Sequence, residues 1–286
     1  MQRFFLPPEQ FSEDTAVLTG AAHLHLVRVM RAQVGATIAL LDNRGNVFRA
    51  ALVKIDKNQT TARIEAPLEA APEPCVHITV AQALSKGDKF EQVVQHGTEA
   101  GASAFVPVRA ERCNVDLKAD RIPDRLLRWQ TIAQSAAEQS GRARIPEISA
   151  PISFANLLAI AAKNAVPLLL LHIDAKAQSL HDALHSLSHP THLMLAIGPE
   201  GGWSPNEVSG ACTTNCGKKD SEGIQSNETG MVEQPVGSKV LAVTLGAHIL
   251  RTETAALVAI SQILYHFENA IKPKIAREGD RLSSVN

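Results

Sequence analysis

Hydrophobic residues change their spacing once along the chain, near residue 72. Before that point the apolar stretches are short and strand-like: Thr37-Ile38-Ala39-Leu40-Leu41, Asn46 to Val53 and Thr61 to Ile64, with a turn signal at Asp42-Asn43-Arg44-Gly45. They predict a small β-barrel. Ala70-Ala71-Pro72-Glu73-Pro74 follows as a short, stiff linker. Beyond it, apolar strands at Val76–Leu84, Ala104–Val108, Leu168–Ile173, His192–Ile197 and Val240–Leu245 alternate with helical patterns at Asp88–Glu99, Pro123–Ser140 and Arg251–Phe267. Strands that read as continuous apolar runs between helices predict a parallel sheet covered on both faces, so the second domain is α/β.

One stretch breaks the alternation. Ser209–Lys239 is rich in Gly, Ser, Thr, Asn and charged residues, and it predicts an exposed insertion. Cys212 and Cys216 lie within it, but a single CxxxC without a second ligand pair is a weak zinc signal, and no metal is expected.

Composition narrows the class. At 286 residues and 45% hydrophobic, the chain is long enough for one large or two ordinary domains with real cores. The opening MQRFFLPPEQF holds an apolar patch too short for a signal peptide and broken by Pro7 and Pro8, and no apolar run approaches a membrane span. The expectation is a cytoplasmic protein without a membrane partner. Four cysteines, Cys75, Cys113, Cys212 and Cys216, are too scattered for a disulfide framework. A net charge of −1 carries no global signature of a nucleic-acid binder, so any such contact is local. Two segments qualify: His23–Arg31, and Arg109–Arg144 with Arg112, Lys118, Arg121, Arg125, Arg128 and Arg142 interleaved with Asp116, Asp120 and Asp124. Each reads either as a solvated helix face or as a nucleic-acid patch.

Candidate chemistry sits at two strand ends. The apolar run Leu193–Ile197 is followed by Gly198-Pro199-Glu200-Gly201-Gly202, then by Ser204-Pro205-Asn206-Glu207, which has the form of a capping box with Pro at the first helical position. Ligands in open α/β sheets bind beyond the carboxyl ends of strands, where a backbone without side chains approaches them closely. Neither GxGxxG nor GxxxxGK[ST] is present, so a dinucleotide fold and a P-loop are both unsupported, and a plain glycine turn stays open as an alternative. Leu245-Gly246-Ala247-His248-Ile249-Leu250-Arg251-Thr252-Glu253 repeats the arrangement, with Thr252 as an expected helix N-cap. Two such loops side by side make one concave pocket suited to an adenosine-like ligand.

IGPEGGWSPNEV and LGAHILRTETAALVAI, together with RFFLP at Arg3–Pro7, HLVRVMR at His25–Arg31, Leu84–Arg112 and Arg128–Ile148, resemble the ribosomal RNA small subunit methyltransferase E family. That family belongs to the SPOUT class of S-adenosylmethionine-dependent methyltransferases. The resemblance implies a PUA-like RNA-binding β-barrel over residues 1–72 and a SPOUT α/β domain over 73–275 with a C-terminal deep trefoil knot, the insertion at 209–239 and a tail at 276–286. It implies methylation of N3 of one uridine of 16S rRNA, near the decoding centre of the small ribosomal subunit, by a homodimer. The methyl donor is expected at Leu171, at Ile197, Gly198, Pro199, Glu200, Gly201 and Gly202, and at Leu245, Gly246, Ile249, Leu250 and Thr252.

Arg251 and Glu253 are the candidates for stabilising a uridine anion and for orienting or accepting its proton; the alternatives are a phosphate grip for Arg251 and helix-dipole support for Glu253. Arg3, Arg28 and Arg31 on the barrel, and Arg112, Arg142 and Arg144 on the α/β domain, are the expected RNA contacts. Gln139-Ser140-Gly141-Arg142 is expected near the dimer seam. The chain departs from the family pattern at Gln95–Gly101, and its insertion stands where the family has a shorter helix and connection. Two rival readings are an rRNA-binding homologue without methyl transfer and a SPOUT enzyme acting on another RNA such as tRNA.

Overall fold

A computed structural model describes residues 1–115, 118–174, 177–213 and 239–271. The first sheet comprises β1 (Arg3–Phe5), β2 (Thr15–Thr19), β3 (Thr37–Leu41), β4 (Val47–Ile55) and β5 (Gln59–Leu68), in the order β1-β3-β4-β5-β2. Only β1 and β3 run parallel. The terminal strands β1 and β2 share no ladder, so the expected closed barrel is a half-barrel. A helical segment fills the gap: α1 (Gly20–Leu24) continues into a π-helical turn at His25–Val29, closed by the Met30 N–H donating to the His25 carbonyl at 3.0 Å. From that turn Leu26 drops fully buried into the core with Phe4, Leu18 and Leu52. The His25 ring meets the Phe4 ring edge-on at 5.8 Å. Leu26→Ala is expected to destabilise the protein by about 3 kcal/mol, because the plug leaves a cavity that a two-sided strand cannot collapse into. Urea unfolding measures it, and a loss under about 1 kcal/mol would show that the turn does not anchor the sheet.

Strand β3, read as a strand in the sequence, is apolar on both faces. Ile38 and Leu40 face the half-barrel core, whereas Ala39 and Leu41 join Phe5 and Val47 against Ala137 and Ala143 of the second unit. Both faces are dry, so no polar alternation survives.

The second unit runs β6 (His77–Ala83), α2 (Lys89–Ala100), β7 (Ala104–Arg109), α3 (Ile122–Ser140), β8 (Glu147–Ile148), β9 (Ile152–Ser153), α4 (Phe154–Lys163), β10 (Leu168–Leu171), β11 (Gln178–Ser179), α5 (Leu180–His185), β12 (His192–Ile197), α6 (Pro205–Thr213), β13 (Val240–Thr244) and α7 (Thr252–Ile271). The sheet order is β11-β13-β10-β12-β6-β7-β8, with β9 also on β7, and every ladder is parallel. Its faces are divided as parallel sheets require. In β10, Leu169 packs toward the core formed with α2, α3, α5 and α7, while Leu168 and Leu170 pack toward α4 and α6.

Two helices escaped the sequence reading. The sequence of α4, FANLLAIAAK, is nearly all apolar, and α5 is only six residues long; each is started by a serine, Ser153 and Ser179, whose hydroxyl accepts the N–H three residues on. Helix α6 extends to Thr213, so residues 209–213 of the expected insertion are helical. The rest of the insertion, residues 214–238 with Cys216, and the 276–286 tail lie outside the described residues.

The second basic segment is mostly exposed, but Arg125, Arg128 and Arg142 also make structural contacts. Glu91 of α2 is buried and accepts from Arg128 of α3 at 2.6 Å and from Arg125 at 3.4 Å. Arg142, expected as an RNA contact, is a structural residue: its side chain is only 11% exposed and is committed to the Glu73 carboxylate and to the Thr98 and Ala102 carbonyls. These bonds fasten the linker to the end of α2. The two units are joined nearby by the Ile145 N–H donating to Asn43 Oδ1 at 2.7 Å, by Arg144 donating to the Arg44 carbonyl at 2.7 Å, and by the Phe5 N–H donating to Glu138 at 3.2 Å. Arg144 keeps an exposed surface at this junction, and the Arg3 guanidinium lies over Gly141, where an added Cβ would approach it to 3.0 Å.

Candidate active site

Three parallel strands, β10, β12 and β13, end side by side and send their loops into one cavity of about 670 Å³. Its wall includes Leu171, Ile197, Gly198, Pro199, Glu200, Gly201, Gly202, Leu245, Ile249, Leu250, Arg251 and Thr252. Of the residues expected to hold the donor, Gly246 alone is not on the wall. It has φ +118° with open space around its Cβ position, so it turns the chain between two lining segments. Glu253 is also off the wall. One of its carboxylate oxygens, Oε2, is buried without a hydrogen-bond partner among the described residues.

The glycine loop is held from three sides. Behind it, Trp203 is buried against Phe154, with ring centroids 4.6 Å apart, and donates its indole N–H to the Leu171 carbonyl at 3.0 Å. Gly198 is bare for this reason as well as for any ligand: a Cβ there would stand 3.3 Å from the Trp203 indole nitrogen. At the far end the capping box forms as read, the Ser204 N–H donating to Glu207 Oε2 at 2.8 Å and the Glu207 N–H donating to Ser204 Oγ at 3.1 Å. The other Glu207 oxygen accepts the Glu111 N–H at 2.9 Å, so one carboxylate staples the loop after β7 to the start of α6. Glu207→Ala orphans both backbone donors and is expected to cost about 2 kcal/mol, whereas Glu207→Gln keeps part of that. A thermal-unfolding series checks this, and equal loss in the two variants would contradict it.

Thr252 acts across the cavity and does not cap α7. Its hydroxyl accepts from Gln82 Nε2 at 2.8 Å and donates to the Gly198 carbonyl at 2.9 Å, and it is the Arg251 carbonyl that accepts the first helical bond, from the Ala255 N–H. The two loops that line the cavity are thus tied to each other and to the end of β6. Gln82 is 1% exposed and was invisible to a motif reading, because a lone Gln at the end of an apolar strand carries no sequence signal.

The rim is charged. Arg112, expected on RNA, lines the cavity and donates to the Gly201 carbonyl at 2.9 Å. Lys89, at the start of α2, also lines it and is ion-paired with Glu200 of the glycine loop. That hydrogen bond raises the Lys89 ammonium above its ordinary range and holds the Glu200 carboxyl below its own, so both are charged at neutral pH. Lys89 also feels Glu253, which raises its pKa, and Arg251, which lowers it. The rim is thus one electrostatic group. Trp203, His172, Ile173, Val243, Thr244, His248 and Ala255 complete the wall without having been singled out. Arg28 and Arg31 lie exposed on the half-barrel.

Among the described residues no cluster of His, Cys, Asp or Glu has a geometry for a metal ion, and no helix is long and apolar enough to cross a membrane.

Comparison with known proteins agrees with this geometry. An RNA methyltransferase domain model matches residues 71–217, and an RNA methyltransferase PUA domain model matches residues 18–65. Ribosomal RNA small subunit methyltransferase E of Synechocystis is 35% identical over 91% of this chain and 76% of its own length; that of Bacillus subtilis is 30% identical over 94% and 98%. Among solved structures, a ribosomal RNA small subunit methyltransferase E from Neisseria gonorrhoeae, bound to S-adenosyl methionine, superposes with a TM-score of 0.75 at 32% identity, covering 93% of this chain and 98% of that one. A Legionella pneumophila methyltransferase in complex with the same cofactor gives 0.76 at 29% identity, covering 92% and 97%. With matches of this length on both domains, the chain belongs to the ribosomal RNA small subunit methyltransferase E family.

Proposed function

We propose that this protein is an S-adenosylmethionine-dependent methyltransferase that methylates N3 of one uridine of 16S rRNA, near the decoding centre, acting as a cytoplasmic homodimer. The observation that carries the reading is the convergence of two bare, strand-terminal loops on one 670 Å³ cavity in a chain 32% identical to a relative solved with that donor. Residues 1–72 are then the RNA-binding PUA-like domain and 73–275 the catalytic domain, whose C-terminal segment passes through a loop as a trefoil knot. In keeping with that threading, β13 returns between β10 and β11 after the chain has passed through β12.

The residues present fit the donor. The cavity volume lies within the ordinary range for a ligand of this size, Leu171, Ile197, Leu245 and Leu250 give it apolar walls, and Gly202 leaves space beside the backbone. When bound, the donor's sulfonium supplies an electrophilic methyl group. The protein's share is placement and charge. Uridine N3 carries a proton, and the anion left by its loss is stabilised by Arg251 and Lys89 at the rim. Glu253 sits behind that wall and acts on Lys89 through its charge; the proton itself leaves to a side chain, with Glu253 the candidate, or to water at the open mouth. Arg3, Arg28, Arg31 and Arg144 hold the rRNA backbone, and the target base is splayed out to reach the cavity.

Calorimetric titration with S-adenosylmethionine, followed by methyl transfer to small-subunit rRNA and mapping of the modified nucleotide, tests the proposal. One N3-methyluridine in 16S rRNA supports it. Donor and rRNA binding without transfer would mean a binding homologue, and transfer only to tRNA would mean a different RNA substrate.

A further inference from the structure

The half-barrel exposes an apolar surface that its own fold does not use. Leu24, Val29, Met30 and Val34 are 43%, 71%, 39% and 61% exposed, all within residues 24–34 around the π-helical turn. Isolated exposed aliphatics are ordinary, but four in one short segment mark a contact surface. The backbone there is specialised as well. A π-helical turn is an uncommon conformation that concentrates at functional sites, and just past its C-cap Met30, Arg31 has φ +52°, a left-handed conformation that non-glycine residues seldom adopt. The conformation is held from below: Leu26 is fully buried, and its carbonyl accepts the Ala32 N–H at 3.1 Å. A rigid, strained turn therefore presents Val29 and Met30 with Arg28 and Arg31 on either side.

Charge selects the occupant. No Asp or Glu occurs between Asp14 and Asp42. Neither the Arg28 nor the Arg31 guanidinium has a hydrogen bond or ion pair with another described residue, and both are exposed. Aliphatic side chains between free arginines, with no carboxylate in the segment, suit a partner that is anionic and also offers apolar faces, and the rRNA substrate proposed above supplies both as phosphates and unstacked bases. We propose that this turn is a base-contacting wedge: Val29 and Met30 lie against unstacked bases of the rRNA, while Arg28 and Arg31 hold the adjoining phosphates. The inference rests on the rRNA substrate proposed above and adds to it an apolar, salt-independent component of binding.

Fluorescence anisotropy of the full chain with a small-subunit rRNA transcript, repeated over a range of salt, tests it. Val29→Ser/Met30→Ser is expected to weaken binding about tenfold at every salt concentration and leave the slope of log affinity against log salt unchanged. Arg28→Ala and Arg31→Ala are each expected to reduce that slope by a little under one. All four positions are exposed, so the melting temperature of each variant should match the wild type. Wild-type affinity in the double serine variant overturns the wedge while leaving the rRNA substrate intact. A changed salt slope in that variant, or a change in its sedimentation, also overturns it, the first because the aliphatics would only place the arginines, the second because the face would join two copies of the chain. Failure of the wild type to bind rRNA at all overturns both readings.

Discussion

Gly198→Val is expected to abolish useful affinity for S-adenosylmethionine, by about a hundredfold or roughly 2.7 kcal/mol. The added Cβ would meet the Trp203 indole nitrogen at 3.3 Å and the Trp203 backbone nitrogen at 3.4 Å, before the two further methyls are counted. Trp203 has no room to retreat, since its ring is packed on Phe154 and its N–H is spent on the Leu171 carbonyl. The glycine loop has to move instead. It carries the Gly198 carbonyl away from the Thr252 hydroxyl, which uncouples the two loops that line the cavity. Because the clash is at the loop and away from the sheet, the thermal midpoint should fall far less than the donor affinity does. Gly198→Ala should show the same order of effects at smaller size. Calorimetric titration of the folded variants reads the result, and wild-type donor affinity in Gly198→Val would show that the loop does not bind the donor in this conformation.

Arg142→Ala is expected to be the most destabilising substitution of a charged residue, at about 3–5 kcal/mol. Arg142 donates to Glu73 Oε2 from Nε at 3.1 Å and from Nη2 at 2.5 Å, and Nη1 serves the Thr98 and Ala102 carbonyls at 3.0 and 2.5 Å. Truncation leaves a half-buried carboxylate and two carbonyls without partners. Glu73→Gln, which keeps an acceptor for the guanidinium, should cost less. Urea unfolding measures both. Affinity for rRNA per folded molecule should be unchanged, so a variant of normal stability with weakened rRNA binding would restore Arg142 to the RNA surface and contradict its structural role.

The contrast between these two residues marks what the chain made legible. The glycine loop could be read because it combines a long-range requirement, a strand end bare of side chains, with a local one, the Ser204 and Glu207 capping box, and both requirements are written in adjacent residues. The parallel sheet was legible for a related reason: Leu168–Leu171 and Leu193–Ile197 are apolar without alternation because helices cover both faces. Arg142 was misread because a charged residue announces solvent or a ligand unless its partner is known, and Glu73 lies 69 positions away. Lys89 and Gln82 were missed in the same way. Their roles depend on Glu200 and Thr252, which tertiary structure alone brings within reach. Helices α4 and α5 were hidden by composition, one too uniformly apolar and the other too short to show a period of 3.6. The half-barrel's gap was hidden because α1 and the turn after it read as a basic patch, although Leu26 between the basic residues is what closes the core.

Methyl transfer from a donor in this cavity to one uridine of the small-subunit rRNA can be read in cells. Mass spectrometry of rRNA fragments from cells lacking this protein, repeated after the wild type or Gly198→Val is added back, tests it most directly. A single N3-methyluridine should be lost, recovered with the wild type and not recovered with the variant. An N3-methyluridine that persists in cells lacking the protein would contradict it.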